Sequence, residues 1–263
     1  MSRTQTDYID YGFISCLDEI ADWEQFKANG VYDLILQMKH DGTIRHIACS
    51  SHTPKTAQAI LDEIDADMFM FSINPAYDYG TGGDYARGGV DERMALITRC
   101  EKEGIGVSVM KPFSGGQLLD ASTSPFGKAL TPYQCIQYAL DKPGVLTVLA
   151  GVQNSHEVEM LLAFHDQPDE MRDYSIIGTF TPADASGKCV YCNHCKPCPI
   201  GLEIGLISKY YDLALAGDAM AVEHYRALPL NATSCTACCH CDSRCPFGVN
   251  MSTRMAEIAA YMA

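Results

Sequence analysis

Residues 44–73 read IRHIACSSHTPKTAQAILDEIDADMFMFSI. Ile44 to Ser50 is a short, nearly continuous apolar run, the pattern of a strand buried on both faces. Beyond Pro54, the residues Ala57, Ile60, Leu61 and Ile64 recur three and four apart, which puts them on one face of a helix. A second apolar run, Met68 to Ile73, follows. Strand, helix and strand within about thirty residues make a βαβ unit, and its two strands run parallel because the helix returns the chain to the starting end of the sheet.

The same alternation extends in both directions. Tyr8 to Ser15, Gly106 to Met110 and Leu146 to Gly151 read as further strands, and Val31, Leu34, Ile35 and Met38 have helical spacing. Five strands separated by helices imply an α/β fold on a parallel sheet, whose ligand sites belong at the carboxyl ends of the strands.

The 263 residues, 47% hydrophobic and 20% charged, are enough to bury a sizeable core. With 19 Lys+Arg against 33 Asp+Glu the formal charge is −14, so the chain lacks the basic footprint needed to grip nucleic acid or an anionic membrane surface. No apolar run approaches the ~18–20 residues that span a bilayer, and Met1 to Asp7 lacks a signal peptide's apolar core. A cytoplasmic location is expected.

Thirteen cysteines are too many for a cytosolic chain unless they serve metal or redox chemistry. Cys16, Cys49, Cys100 and Cys135 stand among apolar neighbours and read as small core hydrophobes. The other nine lie between Cys189 and Cys245. One run holds Cys189, Cys192, Cys195 and Cys198; the other holds Cys235, Cys238, Cys239, Cys241 and Cys245, and each closes with Cys-Pro. Two intervening residues let successive thiolates reach adjacent iron corners of a cubane while backbone N–H groups turn toward its sulfides. Four thiolates suffice for a zinc site, and eight in two such runs exceed what one needs. Cys239, next to Cys238, is a spare. Between and after the runs, Ile204 to Ala214, Ala221 to Leu228 and Met251 to Met262 have helical patterns.

Residues 4–164 resemble the (β/α)8-barrel aldo/keto reductases. Thr6 to Asp10 is similar to that family's fourth strand, Gly42 to His52 to its fifth, Gly104 to Pro112 with Gly115-Gly116 to its seventh, and Val148 to Gly151 to its eighth. The resemblance implies a partial barrel of about five βα units, with the first three units absent. It also implies a nicotinamide site, NAD or NADP, of which Ser50, Ser51, Asn74, Lys111 and Gly151 are in place. Taken alone, Asn74-Pro75 and Gly115-Gly116 are ordinary loop punctuation, and Lys111 suits a solvated strand end as well as a cavity. Several positions depart from the family: Ser15 stands where it has a catalytic His, Met70 where it has a Gln, Leu161 where it has an Asn, and no Lys or Arg follows Gly151 to pair a 2'-phosphate. The catalytic set is therefore expected to be missing. His46 and His52 flank the strand Ile44 to Ser50, with no cysteine or carboxylate at ligand spacing.

The cysteine segment is similar to the two-cluster 4Fe-4S ferredoxins, in which the fourth cysteine of each run ligates the other cluster. That resemblance assigns Cys189, Cys192, Cys195 and Cys245 to one cluster and Cys235, Cys238, Cys241 and Cys198 to the second. The organisation expected is an aldo/keto-reductase-like part at 1–178 and a helical ferredoxin-like part at 179–263.

The function expected is single-electron transfer through two 4Fe-4S clusters on a degenerate reductase scaffold, exchanging electrons with a redox protein or a small-molecule donor or acceptor. One alternative is an NAD(P)-dependent carbonyl reductase whose N-terminal part is missing or supplied by another chain. Another is a redox-sensing or structural partner subunit. Open strand edges at Tyr8 to Ser15 and Leu146 to Gly151 are expected to invite pairing, either with a second copy or with a chain that completes the barrel.

Overall fold

A computed structural model describes residues 5–78, 87–179, 187–189, 191, 193–245 and 247–262. Five strands form one parallel sheet in the order β1 (Ile9–Ile14), β2 (Ile44–Ser50), β3 (Met68–Ser72), β4 (Gly106–Met110) and β5 (Val145–Leu149). The register aligns Ile14 with Cys49, Ser50 with Met70, and Ser72 with Met110, so the carboxyl ends of β1 to β4 open on one side. Sheet order follows chain order, so each helical crossover joins neighbouring strands.

The crossovers are α1 (Ile20–Ala28) and α2 (Val31–His40), then α3 (Pro54–Leu61), then α4 (Pro75–Asp78) and α5 (Val90–Glu103), then α6 (Pro132–Leu140). Beyond β5 come α7 (Ser155–Leu162), α8 (Asp169–Arg172), α9 (Ile204–Leu215), α10 (Ala219–Arg226) and α11 (Met251–Tyr261). Local signals set their ends. Thr131 and Gln134 close a reciprocal capping box on α6, with Pro132 at its first position. At the start of α5, Glu92 accepts the Gly89 N–H, and Gly104, at φ 72, ends that helix in the left-handed region.

The run Met68 to Ile73 is buried on both faces, and Phe69, Phe71, Val107 and Val109 are nearly inaccessible. The same apolar cluster continues into the C-terminal helices through Ile204, Ile207, Met255 and Ile258. Gly205 lets α9 approach the first cysteine run, because a Cβ there would stand 2.4 Å from Asn193 Oδ1. Polar ties add to this contact: Lys209 Nζ donates to the Asp141 carbonyl and Tyr174 Oη to the Tyr191 carbonyl.

Within this core lies a buried ion pair. The Arg93 guanidinium is 1% exposed and bonds Asp78 Oδ1 through Nε and Nη2, the Ser72 carbonyl through Nη2 and the Arg87 carbonyl through Nη1. Tyr138 Oη donates to Asp78 Oδ2 at 2.7 Å.

The edges of the sheet are β1 and β5, with Ile9, Tyr11, Leu146 and Leu149 exposed on them. Among the described residues no helix is long and apolar enough to cross a membrane. The fifth strand spans Val145–Leu149 rather than reaching Gly151, because the chain has already turned toward the Asn154 cap of α7.

The four isolated thiols do not behave alike. Cys49, Cys100 and Cys135 are buried as expected, whereas Cys16 is exposed, because at φ 60 it leads the chain out of the sheet beyond β1. Burial pushes the three inner thiols up to about 12. About one in ten thousand of each is then thiolate at pH 8, so iodoacetamide in native conditions should modify Cys16 and leave these three untouched until denaturant is added. Peptide mass spectrometry reads this directly, and native modification of Cys135 would contradict it. The folded chain also holds these protons more tightly than the unfolded chain. The stability they contribute is therefore intact below about pH 9 and lost as the pH rises toward 12.

Candidate functional site

Two groups of side chains carry chemistry, and the first sits at the carboxyl ends of the strands. Ser50 ends β2, and its Oγ accepts the Cys16 N–H at 2.9 Å, which joins the exits of β1 and β2. Asp18, two residues further along, receives the His52 N–H on Oδ1 at 2.6 Å. The same carboxylate faces the His52 ring, with Nδ1 3.0 Å from Oδ2 and 3.2 Å from Oδ1, and Ser51 Oγ donates to Oδ1 at 3.4 Å. A carboxylate only accepts, so His52 carries its hydrogen on Nδ1 and leaves Nε2 as an acceptor. Lys111 Nζ lies 3.2 Å from that Nε2. Lys111 directly follows β4 at φ 55, a left-handed conformation costing a non-glycine residue about 1–3 kcal/mol. Its carbonyl accepts from Asn74 Nδ2 at 2.8 Å, while Asn74 Oδ1 accepts the Tyr77 N–H in α4.

The charges within this group are coupled. Burial pushes the Asp18 carboxyl up, yet the His52 amide and ring, with Arg87, outweigh it and hold the group below the usual carboxylate range. Burial draws the Lys111 ammonium below the usual lysine range, against the opposing charges of Asp18 and Cys16.

The structure places Ser50, Ser51, Asn74 and Lys111 at the carboxyl ends of the strands, while Gly151 lies exposed beyond β5. Ser51 and Asn74 are fully buried, and besides the bonds within their own turns they tie the strand ends together, Ser51 to Asp18 and Asn74 to the Lys111 carbonyl. Asp18 and His52 had no signal in spacing, since 34 residues separate them. Neither histidine has a carboxylate at ligand spacing along the chain, yet the fold brings one to each, because parallel pairing gathers distant strand ends. His46 too has a carboxylate, Asp67 Oδ1 at 3.2 Å, at the entrance to β3. There Asp67 also takes the Ile47 N–H and Lys39 Nζ, which makes that contact a tie between strands.

The second group is the pair of cysteine runs. Cys198, Cys235, Cys238 and Cys241 line one small pocket together with Leu202, Ile204 and Met255. These are the four thiols that the resemblance to two-cluster ferredoxins would give to one cluster, and Cys239 lines the same pocket. For the other set, Cys192 lies outside the described residues, Cys195 is buried, and Cys189 and Cys245 are half-buried. Burial pushes the Cys189 thiol up, against the Tyr191 N–H bonded to it and the nearby Arg254.

The two runs share a backbone pattern. Tyr191 and Asn193 stand two and four residues after Cys189, Ala237 and Cys239 two and four after Cys235, and all four have φ between 50 and 60. None is glycine. Left-handed residues of this kind occur in backbone nests, whose N–H groups turn to one side and accept anions, iron-sulfur clusters among them. Accordingly, the Ala237 N–H donates to Cys235 Sγ at 3.4 Å, as the Tyr191 N–H does to Cys189. Cys239 is thus more than a bystander in the backbone, although its side chain bonds Ser252 and the Ala237 carbonyl.

Among the described residues no three His, Cys, Asp or Glu side chains converge tightly enough to hold one metal ion. A cubane needs no such convergence, because each thiolate binds a different iron. The thiols around the pocket, the inward N–H groups and the apolar lining fit such a group.

Residues 1–129 match the aldo/keto reductase family. The match covers just under half of this chain. Its fold is shared with the holo form of an aldo-keto reductase from Bacillus halodurans, at 20% identity and a TM-score of 0.51 over 69% of this chain and 64% of that one. The apo form of the same enzyme gives 21% identity and a TM-score of 0.49, covering 69% and 65%. An aldo-keto reductase from Klebsiella pneumoniae in complex with NADPH gives 17% and 0.41, covering 62% and 56%. The chain thus spans 56–65% of the length of these reductases. No curated protein matches it.

Proposed function

We propose that this chain is an oxidoreductase in two parts, an aldo/keto-reductase-like part at 1–178 and a module at 179–263 that holds two 4Fe-4S clusters and passes single electrons. The observation that carries the cluster reading is the left-handed pair repeated at the same offsets in both cysteine runs. Cys235, Cys238, Cys241 and Cys198 would hold one cluster; Cys189, Cys192, Cys195 and Cys245 would hold the other. When bound, such clusters supply one-electron couples. Around them the Tyr191 and Ala237 amides stabilise sulfur charge, Arg254 balances it near Cys189, and Leu202, Ile204 and Met255 exclude water. A redox protein or a small molecule would deliver and remove the electrons.

A nicotinamide-dependent carbonyl reductase is the second reading, and the family match over residues 1–129 supports it more directly than it supports an electron carrier. NAD or NADP would lie across the strand ends near Ser50, Ser51 and Lys111. Ser15 weakens this reading, since a hydroxyl neither titrates near neutrality nor carries the positive charge of an imidazolium.

Anaerobically purified protein should contain about eight irons and eight sulfides per chain, as two cubanes require. One zinc and no sulfide would overturn the cluster reading. NADPH-dependent aldehyde reduction that persists after Cys235→Ser and Cys189→Ser would assign the redox chemistry to the barrel part.

A further inference from the structure

We infer that Asp18, His52 and Lys111 form a triad that presents Lys111 as a nucleophilic amine to the carbonyl carbon of a small aldehyde or ketone. The order of contacts carries the inference. Asp18 fixes the ring by accepting from Nδ1, which turns Nε2 toward Lys111 Nζ at 3.2 Å. A carboxylate behind an imidazole stabilises the imidazolium formed when the ring takes a proton, so the dyad is a base and Lys111 is the group it relieves. The backbone amide of His52, bonded to the same carboxylate, keeps the ring from turning away.

Three further observations converge on the same point. Lys111 directly follows β4, on the side of a parallel sheet where reactive groups of barrel folds gather. Its left-handed φ of 55, and that of Cys16 across the same mouth, are strained conformations of the kind found at functional sites. Partial burial disfavours its charged form, with Asp18 and Cys16 opposing and Arg87 acting on Asp18 from the far side.

The step needs no oxidant. The Lys111 lone pair adds to the carbonyl carbon, the proton held by His52 passes to the resulting alkoxide, and one of the two nitrogen protons returns to His52 to give a carbinolamine. His52 then protonates the departing hydroxyl, which leaves as water, and a protonated imine joins substrate to Lys111. Neither nicotinamide nor an iron-sulfur cluster takes part, so this inference stands apart from the function proposed above.

The test is reductive trapping of the full chain with propionaldehyde, a neutral probe, and cyanoborohydride at pH 7, with propylated lysines mapped by peptide mass spectrometry. Lys111 should be modified at least about tenfold faster than the exposed Lys55 and Lys128, the order of enhancement expected of an amine activated by an adjacent base. His52→Gln and Asp18→Asn, checked for native circular dichroism, should bring Lys111 down to the rate of those two. Parity in the unmodified chain would overturn the proposal even if both variants failed to fold. So would fast labelling that survives His52→Gln in a folded protein.

Discussion

Replacing Arg93 by methionine is expected to lower the stability of the chain by about 3–5 kcal/mol, the cost of breaking a buried charge pair from one side. Arg93 is 1% exposed, and its guanidinium serves three acceptors: the Asp78 carboxylate, the Ser72 carbonyl at the end of β3 and the Arg87 carbonyl before α5. Methionine fills much of the volume and leaves Asp78 buried with only Tyr138 Oη donating to it among the contacts described above. Tyr138→Phe removes a single hydrogen bond and should cost about 1 kcal/mol. Urea unfolding by linear extrapolation separates the two cases. An Arg93→Met variant within 1 kcal/mol of the parent would show that the pair is no structural anchor.

Cys198→Ala is expected to abolish the cluster built on the other run and to leave the cluster built on its own run. Iron should fall from about eight to about four per chain, since each cubane carries four. The thiol of Cys198 lines the pocket of Cys235, Cys238 and Cys241, although 37 residues separate it from the nearest of them by the numbering. Cys245→Ala should produce the reciprocal loss, and the Arg244 contact with the Pro197 carbonyl already joins the ends of the two runs. Iron content with sulfide analysis decides the outcome. Should each loss remain within its own run, the exchange of ligands is wrong.

Much of the fold was legible because parallel sheets are written in local terms. The bounds Ile44–Ser50 and Gly106–Met110 are those of the apolar runs themselves, since strands covered on both faces need continuous hydrophobicity. Helices were legible for a related reason: α9 and α11 bury Ile204, Ile207, Met255 and Ile258 at helical spacing. Cys16 was misjudged as core because its neighbours Ile14 and Leu17 are apolar and buried. Composition does not record that the chain leaves the sheet at that residue with a left-handed turn.

By itself the sequence determined the α/β class, the succession of five strands with helices between them, and the two runs of closely spaced cysteines. All of these depend on periodicity or on short-range repetition, which a linear reading captures. Only the tertiary structure decided that Asp18 stands behind His52 and His52 behind Lys111. It alone showed that Arg93 is buried against Asp78, and that Cys198 faces the pocket of the second run. Those contacts join residues 34, 59, 15 and 37 positions apart. Their charges and hydrogen bonds acquire meaning only where the sheet and the apolar core have excluded water, and no interval along the chain encodes that exclusion.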